Sequence, residues 1–257
     1  PASVLKLYTT AAALDILDSF GVQFLLHSFA ERVISTSQIP QVVFSTKSGP
    51  VVISAKAVID CTGDGDIAAL AGADYEIGRA EDGLVQPMTL MFKIGQFDKQ
   101  TFESYVRSNP GQWRGVHGLW DLVKKATDAG DLHLPREDIL FFKTLREKEI
   151  AVNCTRIINV LGTDVWDWTF AEWQGHKQIR QISYFLKKYV PGFEKSYVVQ
   201  SGVHAGVRES RRIVGEYKLT ADDILSVRKF DDMIACGSYP IDIHNPVSNA
   251  KSSGFLP

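Results

Sequence analysis

The sequence predicts an α/β protein that carries a mainly antiparallel insert, and three observations point there. A strand pattern, a glycine turn and a short helix follow one another over residues 57–72, which is the signature of α/β units. Strand patterns cluster over 41–61 and again over 139–158, and residues 150–158 alternate apolar and polar, imperfectly, as a half-buried strand does. Amphipathic helix patterns punctuate the rest of the chain.

Residues 4–20 read as the first helix, with Val4, Leu7, Ala11, Leu14 and Leu17 at helical spacing and Gly21 as its stop. Strand patterns follow at 22–26, 32–34, 41–46, 51–54 and 57–61. Turn chemistry at 47–50 makes the set a β-meander. A short helix at 67–72 closes on Gly72. Beyond Gly83, strands are predicted at 88–94, 139–143 and 150–158, the last two joined by the exposed turn 145–149, and a surface helix at 119–129. Thr169 and Glu172 form a capping-box pattern that predicts a helix from 169 to about Tyr189, ended by Pro191-Gly192. A looser box at 220–223 opens a helix to about Val227, and the polar tail 245–257 reads as loop.

A chain of 257 residues, 45% hydrophobic and 23% charged, holds one large domain or two modest ones, and this composition excludes disorder. Lys plus Arg number 28 against 30 Asp plus Glu, a net charge of −2, which gives no bulk attraction for nucleic acid. Cys61, Cys154 and Cys236 lie far apart without a CxxC pair, so a reducing compartment is expected and no zinc site or disulfide framework. No apolar run approaches the ~20 residues of a membrane span. No signal-peptide pattern is present, and the expected location is cytoplasmic.

Four motifs carry chemistry. Gly63-Asp64-Gly65-Asp66-Ile67-Ala68 fits the spacing G-x-G-x-x-A. Two carboxylates in that turn would repel a pyrophosphate, so helix capping is the better reading. Asp60, Asp64 and Asp66 also imitate a calcium loop, but Ala71 stands where a bidentate Glu is needed. The same three acids could serve a metal-dependent hydrolase, without an accompanying His or phosphate-gripping Lys. Arg208-Glu209-Ser210-Arg211-Arg212 is the densest basic cluster; its guanidiniums suit a carboxylate or a flavin's negative charge, though Arg211 and Arg212 would face opposite ways on a strand. In 239–244, Asp242 and His244 share one face of an extended segment and suit acid–base work. No G-x-S-x-G elbow occurs. The five tryptophans of the middle third read as core and lid packing.

Longer strings go further. Residues 55–66 with Gln86-Pro87-Met88-Thr89-Leu90-Met91-Phe92, then Val152-Asn153-Cys154-Thr155-Arg156, residues 206–217 and 239–244, resemble in collinear order the FAD-dependent oxidoreductases related to fumarate-reductase-like and heterodisulfide-reductase-like flavoproteins. The resemblance implies part of a Rossmann-like FAD-binding domain with a mainly antiparallel substrate domain, α/β overall and α+β for this stretch alone. It divides the chain into 1–85 (FAD side), 86–215 (substrate side) and 216–257 (a return to the FAD side). It also implies that the chain is the middle of such a protein, with the glycine-rich FAD fingerprint and a further flavin-contacting segment outside it.

By the same resemblance, FAD is the cofactor and Cys61, Thr62, Gly63, Asp64 and Gly65 lie against it, with Asp64 and Asp66 capping the helix. Arg208 and Arg211 would hold an anionic substrate, and Arg208, His204 and His244 are the catalytic candidates. No metal is expected. The expected partners are a small-molecule substrate and, beyond it, a second copy or an electron-transfer protein; nucleic acid and membrane are not expected. The competing reading is a binding or structural module without redox chemistry, one that has lost its cofactor.

Overall fold

Val42 and Val43 are neighbours in sequence and both buried, which marks their strand as the centre of its sheet. The computed structural model describes residues 2–34, 39–237 and 241–247, with side chains from residue 10 onward. They fall into two units: the chain up to Glu76 with Arg211–Val214, and Ile77–Ser210 with the described residues from Gly215 on. Residues 77–85 group with the second unit.

In the first unit, helix α1 (Ala2–Ser19) ends where Gly21, at φ 72°, donates its N–H to Asp18 O. Of the predicted apolar stripe, Leu14 and Leu17 are exposed. Strands β1 (Ser28–Ile34), β2 (Gln41–Thr46) and β3 (Gly49–Ser54) form an antiparallel meander in that order. The apolar run 22–26 precedes β1 without pairing, and the expected strand at 57–61 is not a strand. That stretch instead delivers Asp60 to helix α2 (Asp66–Leu70). Strand β4 (Tyr75–Ile77) pairs with the strand Arg211–Ile213.

The second unit is built on a six-stranded sheet. Its strands are β5 (Phe92–Gly95), β6 (Trp113–Arg114), β7 (His117–Gly118), β8 (Ile139–Lys143), β9 (Glu149–Val152) and β10 (Tyr197–Ser201); the strand Arg211–Ile213 that pairs with β4 in the first unit is β11. The order across the sheet is β10-β5-β9-β8-β7-β6, with antiparallel neighbours throughout. Helix α3 (Lys99–Ser108), which the sequence reading missed, starts on Asp98, whose side chain accepts from the N–H groups of Gln100 and Thr101. Helix α4 spans Trp120–Asp128.

Helix α5 (Val165–Tyr189) starts a turn earlier than the capping-box pattern predicts. Asp164 caps it, and Thr169 sits inside, its hydroxyl donating to Val165 O. Helix α6 (Ala221–Leu225) has the predicted Thr220–Asp223 box. Of the tail, residues 248–257 lie outside the described residues, as do Tyr239 and Pro240. No described helix is long and apolar enough to cross a membrane.

Ile179, Ile182, Phe185 and Leu186 of α5 share one core with Phe92, Ile94, Ile139 and Val152 of the sheet. Each such side chain contributes about 1.5–3 kcal/mol by leaving water. Phe97, Phe102, Phe141 and Phe193 pack rings at one end, with centroids 5.2–5.8 Å apart. Of the tryptophans expected in the core, Trp166 and Trp173 are exposed instead, and Lys177 Nζ lies 3.3 Å from the Trp173 ring centroid.

One glycine sets a close approach: a Cβ on Gly175 of α5 would stand 3.0 Å from Leu90 Cβ. Overpacking of this kind costs about 1–3 kcal/mol. Gly175→Val is therefore expected to lower the unfolding free energy by that amount, seen as a lower urea midpoint, despite its better helix propensity. An unchanged or raised midpoint would show that the helix has room to move.

Candidate functional site

Beyond β5, β9 and β10 the ladder continues irregularly, and this extension assembles a charged site. Met88 and Ile157 exchange both backbone hydrogen bonds (2.9 and 3.0 Å), as do Thr89 and Gly206 (3.2 and 2.7 Å). Residues 88–89 therefore run between the segment after β9 and the segment after β10. Side chains fill the gap between these bridges and the regular sheet. The buried Thr155 hydroxyl accepts from Leu90 N–H (2.6 Å) and donates to Leu90 O (3.0 Å). Cys154 Sγ accepts from Leu140 N–H at 2.9 Å.

Arg156 follows directly, and its backbone is held from the other side. The buried Gln178 of α5 accepts from Arg156 N–H (2.8 Å) and donates to Arg156 O (2.9 Å). The guanidinium of Arg156, a residue only 8% exposed, donates from Nη2 to Asn245 O, while its buried Nε has no partner among the described residues. On the opposite flank, Arg208 Nη2 donates to Thr89 Oγ1 at 3.1 Å.

The first residue of the central segment carries the third element. Gln86 Oε1 accepts from His244 N–H (2.9 Å), and Glu209 Oε2 accepts from Gln86 N–H (3.0 Å). His244 Nε2 stands 3.6 Å from Asp242 Oδ2. Arg136 donates to Asp138 Oδ1 (3.2 Å from Nη2), and the other oxygen of Asp138 lies 2.6 Å from His117 Nδ1.

The electrostatics couple these groups. Burial lowers the pKa of Arg156, and the charges of Arg136 and Arg208 lower it further. Burial also lowers that of Arg208, with Asp242 opposing and Arg136 adding. Both remain cations, since an arginine starts above 12. His244 falls below its ordinary 6.5, through burial first and then Arg208; Asp242 pulls the other way, and Arg156 and Arg136 deepen the shift. At neutral pH it is therefore an uncharged imidazole among three guanidiniums. Burial pushes the Cys154 thiol up to about 12, so it is a packing group and not a nucleophile.

In the first unit, the turn at 61–65 precedes α2, with Gly63 and Gly65 at φ 87° and 63°. The expected caps do not perform that task. Asp60 accepts from the N–H groups of Thr62 and Ala68, and Thr62 Oγ1 accepts from Asp66 N–H, so the helix start is satisfied from upstream. Burial raises the Asp60 pKa, but these hydrogen bonds outweigh it and hold the carboxyl below its usual value. Asp66 pairs instead with Arg211 Nη1 at 2.6 Å, which also donates to Asp64 O. Among the described residues no group of three or more His, Cys, Asp or Glu is placed to hold a metal.

Sequence reasoning named Arg208 and His244, and the structure brings them to one cluster. His204 falls elsewhere, largely exposed, with Nδ1 3.7 Å from Glu172 Oε1 and its ring beside Trp168. Arg211, expected beside Arg208 on a substrate, is engaged with Asp66 in the first unit. Arg212 faces Glu76 at 3.7 Å, so the two neighbours do diverge on their strand. Arg156 and Arg136 were not singled out as site residues, although Arg156 closes the Val152-Asn153-Cys154-Thr155-Arg156 string. Only the pairing of distant segments reveals them.

The comparisons with known proteins bear on the whole chain. Comparison with curated proteins gives no match. Among solved structures, the chain is similar to p-nitrophenol 4-monooxygenase PnpA from Pseudomonas putida DLL-E4, at 12% identity and a TM-score of 0.37. The likeness covers 72% of this chain and 37% of that one, so the chain spans little more than a third of that protein's length. Residues 6–256 match the family described as FAD dependent oxidoreductase, and the chain belongs to that family.

Proposed function

We propose that this chain serves the flavin-dependent oxidation or reduction of a small anionic substrate. One observation carries the reading: the buried Arg156, the exposed Arg208 and the uncharged His244 are brought together by residues 86–89. A guanidinium pair suits a carboxylate, and an imidazole kept neutral suits proton transfer at working pH.

The family's cofactor is FAD. The turn at 61–65 fits such a group. A Cβ on Gly63 would meet nothing within 4 Å, so the turn is open above it. Arg211 offsets the Asp66 charge that would repel a phosphate, and its buried Nε is an unpartnered donor. Cys61, Thr62, Gly63, Asp64 and Gly65 would hold the cofactor, which when bound supplies a hydride acceptor or donor. Arg156 and Arg208 bind and orient the anion. His244 Nε2 takes or returns the proton that accompanies hydride transfer, and Asp242 steadies the imidazolium so formed.

Three outcomes are expected. Titrating the chain with FAD should quench flavin fluorescence saturably, and Gly63→Val should weaken binding about tenfold or more, by filling the open turn at a left-handed φ. A chain that never quenches flavin would favour the non-redox module.

Because His244 has a lowered folded pKa, the unfolded chain binds the extra proton. Stability is then full above about pH 6.5 and falls as the pH drops through 6.5 towards the folded value. His244→Gln should flatten that fall in urea unfolding at several pH values, and an unaltered profile would contradict the assignment.

Gln178→Ala should cost about 1–3 kcal/mol and move the Arg156 Nε–Hε resonance. Ile182→Ala, in the same helix, should cost about 2–5 kcal/mol and leave that resonance in place. If both variants shift it equally, Gln178 is only a packing residue.

A further inference from the structure

We propose that the ligand of this site carries a single carboxylate, bound by Arg156, and is otherwise uncharged. The inference rests on the anionic-substrate reading above and names the charge class of that substrate.

The first support is where the cations find their counter-charges. Arg136 has Asp138 at 3.2 Å, with His117 on the second oxygen. Arg208 lies in the field of Asp242 and donates to the Thr89 hydroxyl. Arg156 has no carboxylate within ion-pair distance among the described residues. It is the most buried of the three, and among the described residues its guanidinium donates to a backbone carbonyl. One positive charge is therefore left without a counter-charge, at the buried end of the cluster.

The second support is the cost of that arrangement. A guanidinium taken from water without a counter-ion carries a penalty of several kcal/mol. An orphaned Nε–H adds about 1–3 kcal/mol. The fold nevertheless fixes Arg156 from both sides, through the Gln178 clamp and the Thr155 hydroxyl on the neighbouring residue. A ligand that relieves both costs needs one negative charge and two acceptor oxygens in a plane, which is a carboxylate facing a guanidinium fork. A second negative charge would meet arginines already balanced by Asp138 and Asp242. A phosphate dianion fits a guanidinium fork too, but it would bring that same second charge.

The test is a titration of the 257-residue chain without FAD, at constant ionic strength, with sodium propionate, disodium succinate and inorganic phosphate as probes. Arginine Nε–Hε resonances are followed by NMR, and the Arg156 signal is identified as the one lost in Arg156→Lys. Propionate is expected to shift that signal saturably, succinate to bind within about threefold of propionate, and phosphate about tenfold more weakly or worse. Arg156→Lys keeps the charge but loses the fork, and should weaken propionate about tenfold.

Succinate or phosphate binding tenfold tighter than propionate would overturn the proposal. So would an Arg156 signal that stays fixed at saturating propionate. Should Arg156→Lys fail to fold by circular dichroism, the order of the three probes on the unaltered chain decides, the signal being assigned through its through-bond connection to the Arg156 backbone. No flavin takes part, so failure of the cofactor titration and failure here are separate results.

Discussion

Two backbone bridges, Met88 to Ile157 and Thr89 to Gly206, decide where the chemistry of this protein can be. Each is a pair of hydrogen bonds outside the regular strands, and together they hold residues 88–89 between two segments far away in sequence. Arg156 precedes one partner of the bridges and Arg208 follows the other. Gln86, two residues before the first bridge, receives the backbone of His244. Without the bridges these side chains would belong to three unrelated loops. With them, the end of an antiparallel sheet becomes a focus of positive charge.

Packing is what lets a sheet end tolerate that charge. Gly175 allows α5 to approach Leu90, immediately after the bridged residues, and one turn further along the helix Gln178 clamps the backbone of Arg156. Thr155 and Cys154 use their side chains where the ladder lapses, so the backbone amides of Leu90 and Leu140 remain satisfied. The Arg156 Nε is one of the buried polar atoms left without a partner among the described residues. A fold that satisfies the backbone around an arginine and leaves its head group short of a partner holds local instability where a ligand can relieve it.

Much of the fold was legible because it is local. Strand β8 reads as a short apolar run, the β2–β3 turn has its Ser-Gly chemistry, and the Thr220–Asp223 box reads directly from four residues. Errors came where a local pattern had a stronger competitor. Thr169 and Glu172 look like a helix start, but Asp164 upstream caps first, and Glu172 turns to accept from Ala205 N–H at 2.5 Å. Residues 57–61 carry a strand pattern, yet Asp60 and Thr62 are needed for the first amides of α2. Asp64 and Asp66 seemed to forbid a phosphate, an objection that Arg211 weakens by pairing with Asp66. Arg208 and His244 could be singled out by composition and spacing. Arg156 and Arg136 could not, because sequence spacing does not record which segments lie side by side.

The family implies FAD, and the proposed anion site rests on the bridged segment, so the bridges are what most needs testing. Native-state amide hydrogen exchange reads them directly through the N–H groups of Met88, Thr89, Ile157 and Gly206, each a donor in one of the four bonds. If the bridges position the site, these four amides exchange slowly and together, at rates near those of Ile94 and Val152 in the sheet core. Exchange as fast as that of the exposed turn at Gly115 would mean that the segments are not held side by side, and the charged site would not exist as a unit.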